Sequence, residues 1–276
     1  MGVSGPNKET KAQGDTTAHG PVDRGPLFDR SASPLLPDAA ALARAAALGI
    51  EFDPGDIDRL GRYLAFLRDA NTRINLTAIV DAQEMWTRHV LDSLALVPVI
   101  ASLDRAPGRE DEPMRLIDVG SGGGLPGIPL AIVLPDVRCT LLEATAKKAK
   151  FLSDVAAALS LANVDVVVAR AEDAGRDREL HRERYDVVTS RAVGPLPTLV
   201  ELTVPFACVG GAVLAIKGEK ADEEIAASKA ALHALHAHAL EPIRAATGTI
   251  VPIVKQRTTP KLYPRRAGEP KRAPIK

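Results

Sequence analysis

The sequence is short of cysteine, of aromatic residues and of long apolar runs, and each shortage excludes something. Two cysteines among 276 residues, Cys139 and Cys208, cannot build a disulfide framework, and neither stands at a metal-type spacing. One Trp, three Tyr and five Phe are too few for a broad platform on which bases could stack. The longest apolar stretches, 119–135 and 202–216, are broken by Gly and Pro and fall short of a membrane span. The N-terminus has no apolar signal core. Together with the scarce cysteine, this points to a cytoplasmic protein. Net charge is lacking as well, with 35 Lys and Arg against 35 Asp and Glu.

What is present is an ordinary globular composition, 46% hydrophobic and 25% charged, in a chain long enough for one large domain or two small ones. The zero net charge hides an asymmetry. From Ile250 onward, eight of the basic residues face one acid, Glu269, which gives the end of the chain a balance of +7 and the 249 residues before it −7. Such a segment suits a polyanion, and also suits a solvated tail.

Residues 1–37 hold ten Gly or Pro and little periodic apolar pattern, and they are expected to form a disordered extension. From Asp38, a plausible N-cap, a short Ala-rich helix runs toward Gly49. Ile57, Leu60, Leu64 and Leu67 mark a second helix, with Asp53 or Asp56 available as caps. Further helix is expected behind Asp81. These make a helical subdomain which, with a charged linker at 104–113, covers 38–113. Residues 114–276 change texture. "RLIDVG", "VRCTLLE", "VDVVVAR", "YDVVTSR" and "AVLAIKG" are β-rich runs separated by helices. That alternation predicts an α/β domain with a doubly wound, mainly parallel sheet, Rossmann-like in architecture. The highly charged stretch 173–186 reads as a local elaboration, and there is no internal repeat.

The first strand runs into Asp118-Val119-Gly120-Ser121-Gly122-Gly123-Gly124-Leu125-Pro126-Gly127 and then a helix. Glycines at alternate positions after a strand allow a tight turn and a close approach of backbone to ligand. Glu143 closes the next strand, where a carboxylate can accept both hydroxyls of a ribose. A dinucleotide pattern, Gly122-x-Gly124-x-x-Gly127, is also satisfied. Two features favour S-adenosylmethionine: the D-x-G-x-G-x-G string of class I methyltransferases, and Pro126 and Pro129 crowding a helix start whose N–H groups a pyrophosphate would need.

The blocks "NLTAIVDAQEMWTRHVLDSL", "LIDVGSGGGLPGIPLAIVLPD", "LLEATAKKAKFL", "SRAVGPL", "AIKG" and "YPRRAGEPKRAPI" together resemble the RsmG (GidB) family of bacterial 16S rRNA guanine-N7 methyltransferases over residues 40–276. The resemblance implies S-adenosylmethionine as cofactor and 16S rRNA as partner, with methylation at N7 of a guanosine in the 530 loop. It further implies that Gly120 and Leu125 line the cofactor site, that Ala171 and Glu172 flank the adenine, and that Arg191 completes it, beside Gly122 and Glu143, which the residue pattern itself places there. For RNA, the basic end suggests Tyr263, Arg265 and Arg266, joined by Lys217 and by Arg88 and His89 in the helical unit.

Guanine N7 presents a lone pair and no proton, so no general base and no catalytic side chain are named. Both cysteines are expected in the core, and His233, His236 and His238 on the solvent face of a helix rather than at a metal. A monomer is expected. A methyltransferase for a small molecule or a protein, an RNA-binding assembly factor that holds the cofactor without turnover, and a dehydrogenase remain open alternatives.

Overall fold

Near-continuous apolar strands separated by helices can be covered on both faces in a parallel sheet, and the chain builds one. The computed structural model describes residues 1–2, 25, 27–104, 109, 112–245 and 247–276. Its strands are β1 (Arg115–Val119), β2 (Arg138–Glu143), β3 (Val164–Val168), β4 (Tyr185–Arg191), β5 (Ala207–Lys217), β6 (Ala237–Ala239), β7 (Ile243–Arg244) and β8 (Thr249–Lys255). They lie in the order β3-β2-β1-β4-β5-β8-β6, with β7 on β8. The first five are mutually parallel, and β8 runs antiparallel to β5 from Ala212↔Val254 to Lys217↔Thr249. The order reverses between β1 and β4, which opens a crevice at their carboxyl ends, where doubly wound sheets bind ligands.

The sequence predicts β1 to β5 and misses the antiparallel edge. Strand β8 carries Pro252, which cannot donate to a ladder and disguises the run. Here it pairs with Leu214, and its carbonyl accepts the Leu240 N–H at 2.8 Å. Residues 250–255 are therefore an inner strand, not the start of a basic tail, and Lys255 is buried. Its ammonium donates to Glu183 at 2.7 Å and to the Ala207 carbonyl at 2.8 Å.

Asp38 caps the helix Ala39–Ala47 as expected, accepting the Ala41 N–H at 2.7 Å. The helix Asp56–Asn71 starts instead at Gly55, in left-handed backbone, with no side-chain cap. Asp56 accepts the Asp53 N–H at 3.0 Å and pairs with Arg59, so neither aspartate caps. Asp81 accepts from Gln83 and Glu84 to open Ala82–Met85, which continues through a π-helical stretch, Trp86–Leu91, to Asp92–Leu94 and Leu96–Ala101.

One apolar cluster runs from these helices (Leu60, Leu64, Trp86, Leu94) into one face of the sheet (Leu116, Leu141, Val187), and a second covers the other face. Tyr63, fully buried on the helix Asp56–Asn71, donates its hydroxyl to the Gly123 carbonyl at 2.8 Å and joins the helical unit to the glycine loop. The packing also corrects the boundary of the expected disordered extension. Phe28 is buried, stacked on Phe66 at 4.3 Å and edge-on to Phe151 at 5.8 Å, and the Leu35 carbonyl accepts from the Trp86 indole at 2.6 Å. Residues 27–37 thus belong to the fold, while residues 3–24 and 26 lie outside the described residues. Most of the expected linker at 104–113 lies outside them too, although Arg109 reaches Asp186 at 3.3 Å.

The charged stretch 173–186 is not a surface elaboration alone. Arg182 is buried and donates to the carbonyls of Gly175, Tyr263, Thr259 and Pro260, at 2.7–3.2 Å. The guanidinium's array of fixed donors suits that task, and it moors the C-terminal segment to the domain.

Candidate functional site

After β1 the chain turns back through the glycine loop into the helix Gly127–Val133. Gly120, Gly122 and Gly124 hold φ of +74°, +57° and +94°, left-handed backbone that costs other residues about 1–2 kcal/mol. Close approach is a separate demand. A Cβ on Gly127 would stand 2.3 Å from Leu141 Cδ2 and 3.0 Å from Asp118 Oδ2. Asp118 braces the turn from beneath, fully buried. Its Oδ1 accepts the Thr189 hydroxyl at 3.0 Å and its Oδ2 the Gly127 N–H at 3.2 Å, while its carbonyl accepts the Ser121 hydroxyl at 2.9 Å. Burial pushes this carboxyl up to about 6, against the pull of those hydrogen bonds.

Two cavities adjoin the loop. The larger, about 340 Å³, is walled by Gly120–Gly123, Leu125, Glu143 and Arg191, with Leu76, Thr77, His89, Lys148 and Val193. The smaller, about 160 Å³, is walled by Ala171 and Glu172 and shares Gly120, Glu143 and Val193 with the first. All seven residues expected at the cofactor site therefore line these two neighbouring cavities at the carboxyl edge of the sheet. Glu143, at the end of β2, accepts the Gly122 N–H on Oε2 at 3.0 Å and the Thr145 N–H on Oε1 at 2.7 Å. Arg191, at the end of β4, stands 3.9 Å from Asp92, and that carboxylate also accepts the Thr247 hydroxyl. Burial draws the Arg191 guanidinium below its ordinary value and raises Asp92.

His89 proves to be both a core histidine and a cavity wall. It is buried, with Nε2 2.7 Å from the Thr77 hydroxyl, and burial followed by the neighbouring Arg191 charge lowers its pKa to about 4. Thr77, Leu76 and Lys148 come from other elements, and no spacing in the sequence announces them.

The residues expected to meet RNA divide. Lys217 donates to the Gly194 carbonyl and pairs with Glu224, both at 2.7 Å, so it holds the loop after β4 instead of reaching outward. Arg265 is clamped on Glu201, a carboxylate with 0% exposure, through Nε at 2.9 Å and Nη2 at 2.6 Å. Tyr263 is half-buried against the second apolar cluster. Arg266 is exposed. Arg88, exposed, pairs with Glu84 at 3.2 Å.

Cys139 and Cys208 are buried as expected, and burial pushes the Cys139 thiol up to about 12, away from reactivity. His233 is helical, but His236 lies in a left-handed turn and His238 in β6. Among the described residues no group of His, Cys, Asp and Glu could hold a metal ion, and no helix is long and apolar enough to cross a membrane.

The family model of rRNA small subunit methyltransferase G (GidB) matches residues 56–248. The ribosomal RNA small subunit methyltransferase G of Sorangium cellulosum is 44% identical over 246 residues, which cover 89% of this chain and 99% of that protein. The protein of the same name from Roseiflexus castenholzii is 44% identical over 236 residues, covering 84% and 97%. That of Ligilactobacillus salivarius is 36% identical over 237 residues, covering 83% and 95%. A glycine loop braced by a buried aspartate, strand-end acids and an arginine at the sheet's reversal point, and likeness along nearly the whole length of these proteins, lead to one statement: the chain belongs to the ribosomal RNA small subunit methyltransferase G (GidB) family.

Proposed function

We propose that the chain transfers the methyl group of S-adenosylmethionine to N7 of a guanosine in the 530 loop of 16S rRNA, position 527 in the usual rRNA numbering. In this reading it acts as a cytoplasmic monomer on the small ribosomal subunit or its precursor. The observation that carries the reading is the convergence, in a member of this family, of Gly120, Gly122, Leu125, Glu143 and Arg191 on one cavity with Ala171 and Glu172 on its neighbour.

These residues fit S-adenosylmethionine. The loop offers backbone without side chains. Each oxygen of Glu143 accepts one N–H and keeps a further lone pair, which matches a ribose diol. Arg191 Nη1 is buried with no hydrogen-bond partner among the described residues, a donor suited to a carboxylate such as that of the methionine portion. When bound, the cofactor supplies an electrophilic methyl group on a sulfonium centre.

The protein's own work is to orient, because guanine N7 brings its lone pair ready for attack. The loop, Glu143 and Arg191 hold the donor, and the walls at Leu76, Thr77 and Val193 limit where a base can stand. His89, with a pKa near 4, is uncharged at neutral pH and adds no positive charge beside a base that becomes cationic. Asp118 is sealed beneath the loop and faces no substrate. Neither has to move a proton.

The test is incubation with tritiated S-adenosylmethionine and small-subunit particles from cells lacking this gene, followed by nuclease mapping. Label recovered as 7-methylguanosine in the 530 loop is the expected result. Saturable cofactor binding with no label in particles or free rRNA would sink the reading.

A further inference from the structure

The family resemblance sets Glu172 beside the adenine, yet part of its carboxylate is engaged elsewhere. Oε1 accepts the Gly268 N–H at 2.7 Å, a bond across 96 residues, although Glu172 is 9% exposed and lines the smaller cavity with Gly120, Glu143 and Val193. One side chain thus touches both the wall of the cofactor region and the C-terminal basic segment.

Gly268 holds φ of +79° and opens the short helix Glu269–Arg272, in a turn closed by the Glu269 N–H donating to the Arg266 carbonyl at 2.9 Å. Cations leave this turn on both sides, Arg266 before it and Lys271 and Arg272 after it, all three exposed. Among the described residues, the ion pairs made by residues 256–276 are those of Arg265 with Glu201 and Glu269, and those other three cations face outward. A bond from an ionised carboxylate to a backbone N–H is charge-assisted and stronger than a neutral one, so it is a firm tie for a turn of this size.

We infer that Glu172 is a positioning residue whose carboxylate holds the Gly268 turn, and with it the cations that meet the phosphates of the RNA substrate, against the wall of the cofactor cavity. The identity of that substrate rests on the proposed function; the tie itself does not. A change at Glu172 then acts on the RNA side of the reaction more than on the cofactor side, the reverse of what a residue devoted to adenine would do.

Glu172→Ala removes the acceptor, while Glu172→Gln keeps a neutral oxygen in the same place. In the full chain, three quantities separate the roles: the Kd for S-adenosylmethionine by calorimetry, the KM for small-subunit particles, and hydrogen exchange of the Gly268 amide. Glu172→Ala is expected to raise the KM for particles about tenfold, to raise the cofactor Kd by a clearly smaller factor than the KM, and to speed exchange at Gly268. Glu172→Gln should recover most of the loss. In a background of Arg266→Ala, Lys271→Ala and Arg272→Ala, the effect of Glu172→Ala on the KM should shrink to less than about threefold, because the turn then has no cations to place. Weaker cofactor binding with an unchanged KM for particles, or unchanged exchange at Gly268, would overturn the inference. Should the wild-type chain fail to methylate particles at all, the proposed function falls. The exchange experiment, with equilibrium binding of 16S rRNA in place of the KM, still decides the role of Glu172.

Discussion

The glycine loop, which lines both cavities, and the C-terminal segment, which Glu172 ties to the wall of the smaller one, hold their shapes in opposite ways. The glycine loop is held by its own backbone: left-handed φ at three positions, N–H groups of Gly120 and Ser121 donating to the Leu142 carbonyl, and Asp118 two residues before it as brace. The C-terminal segment has little regular structure, and distant side chains hold it: Arg182 on the carbonyls of Thr259, Pro260 and Tyr263, Glu201 on Arg265, Glu172 on Gly268. A loop built the first way has its conformation and its nearest brace, Asp118 on Gly127, encoded within ten residues. A segment built the second way depends on partners 64 to 96 residues away. The same protein therefore has one segment that fails when a Cβ is added and another that fails when a charge is removed.

The largest effect should come from breaking the hold on the C-terminal segment. Arg265→Ala leaves the fully buried Glu201 carboxylate without its charged partner, which costs about 3–5 kcal/mol in urea unfolding. A loss under about 1 kcal/mol would show that the pair is dispensable. Asp118 tests the glycine loop through pH. Its folded pKa, near 6, lies above the ordinary value of 3.8, so its contribution is most favourable below pH 4 and is lost as pH rises through 6. At about 1.4 kcal/mol per unit, the loss is up to about 3 kcal/mol. Asp118→Asn has no such titration. Its stability relative to wild type should therefore rise between about pH 4 and pH 7, and a constant difference would refute the assignment.

A smaller effect is expected for Gly120→Ala, which must hold φ of +74° with its Cβ 2.7 Å from Val193 Cγ2. Calorimetry should show the affinity for S-adenosylmethionine reduced about tenfold or more. The smallest change in stability sharpens the comparison most, because it involves the neighbour of Arg265. Arg266→Ala, at an exposed position, should stay within about 0.5 kcal/mol of wild type in stability. It should also reduce the salt dependence of RNA binding by about one phosphate contact. If Arg265 and Arg266 variants behave alike, the distinction between a structural and a substrate-facing arginine fails.

Legibility in the sequence followed the same division. The five parallel strands, the glycine loop and Glu143 could be read because their signals are local: apolar runs, punctuating glycines, an acid at a strand end. The strand Thr249–Lys255 could not, since Pro252 masks it and its pairing with β5 is a tertiary event. Lys217 and Arg265 look like RNA-facing cations in a basic string. Only the fold brings Glu224 and Glu201 against them. Phe28 sits in a Gly- and Pro-rich stretch without periodicity, and its burial depends on Phe66 and Phe151 from two separate helices.

The sequence by itself determined the alternation of strands and helices, the turn that only glycines can make, and the acid that faces it, because backbone conformation and apolar periodicity act over a few residues. The tertiary structure alone decided which cations are buried in pairs and which remain at the surface, that His89 is a neutral cavity wall, and that Glu172 reaches the C-terminal segment. Those outcomes depend on desolvation and on which charges the fold brings within hydrogen-bond distance, and neither can be read from spacing along the chain.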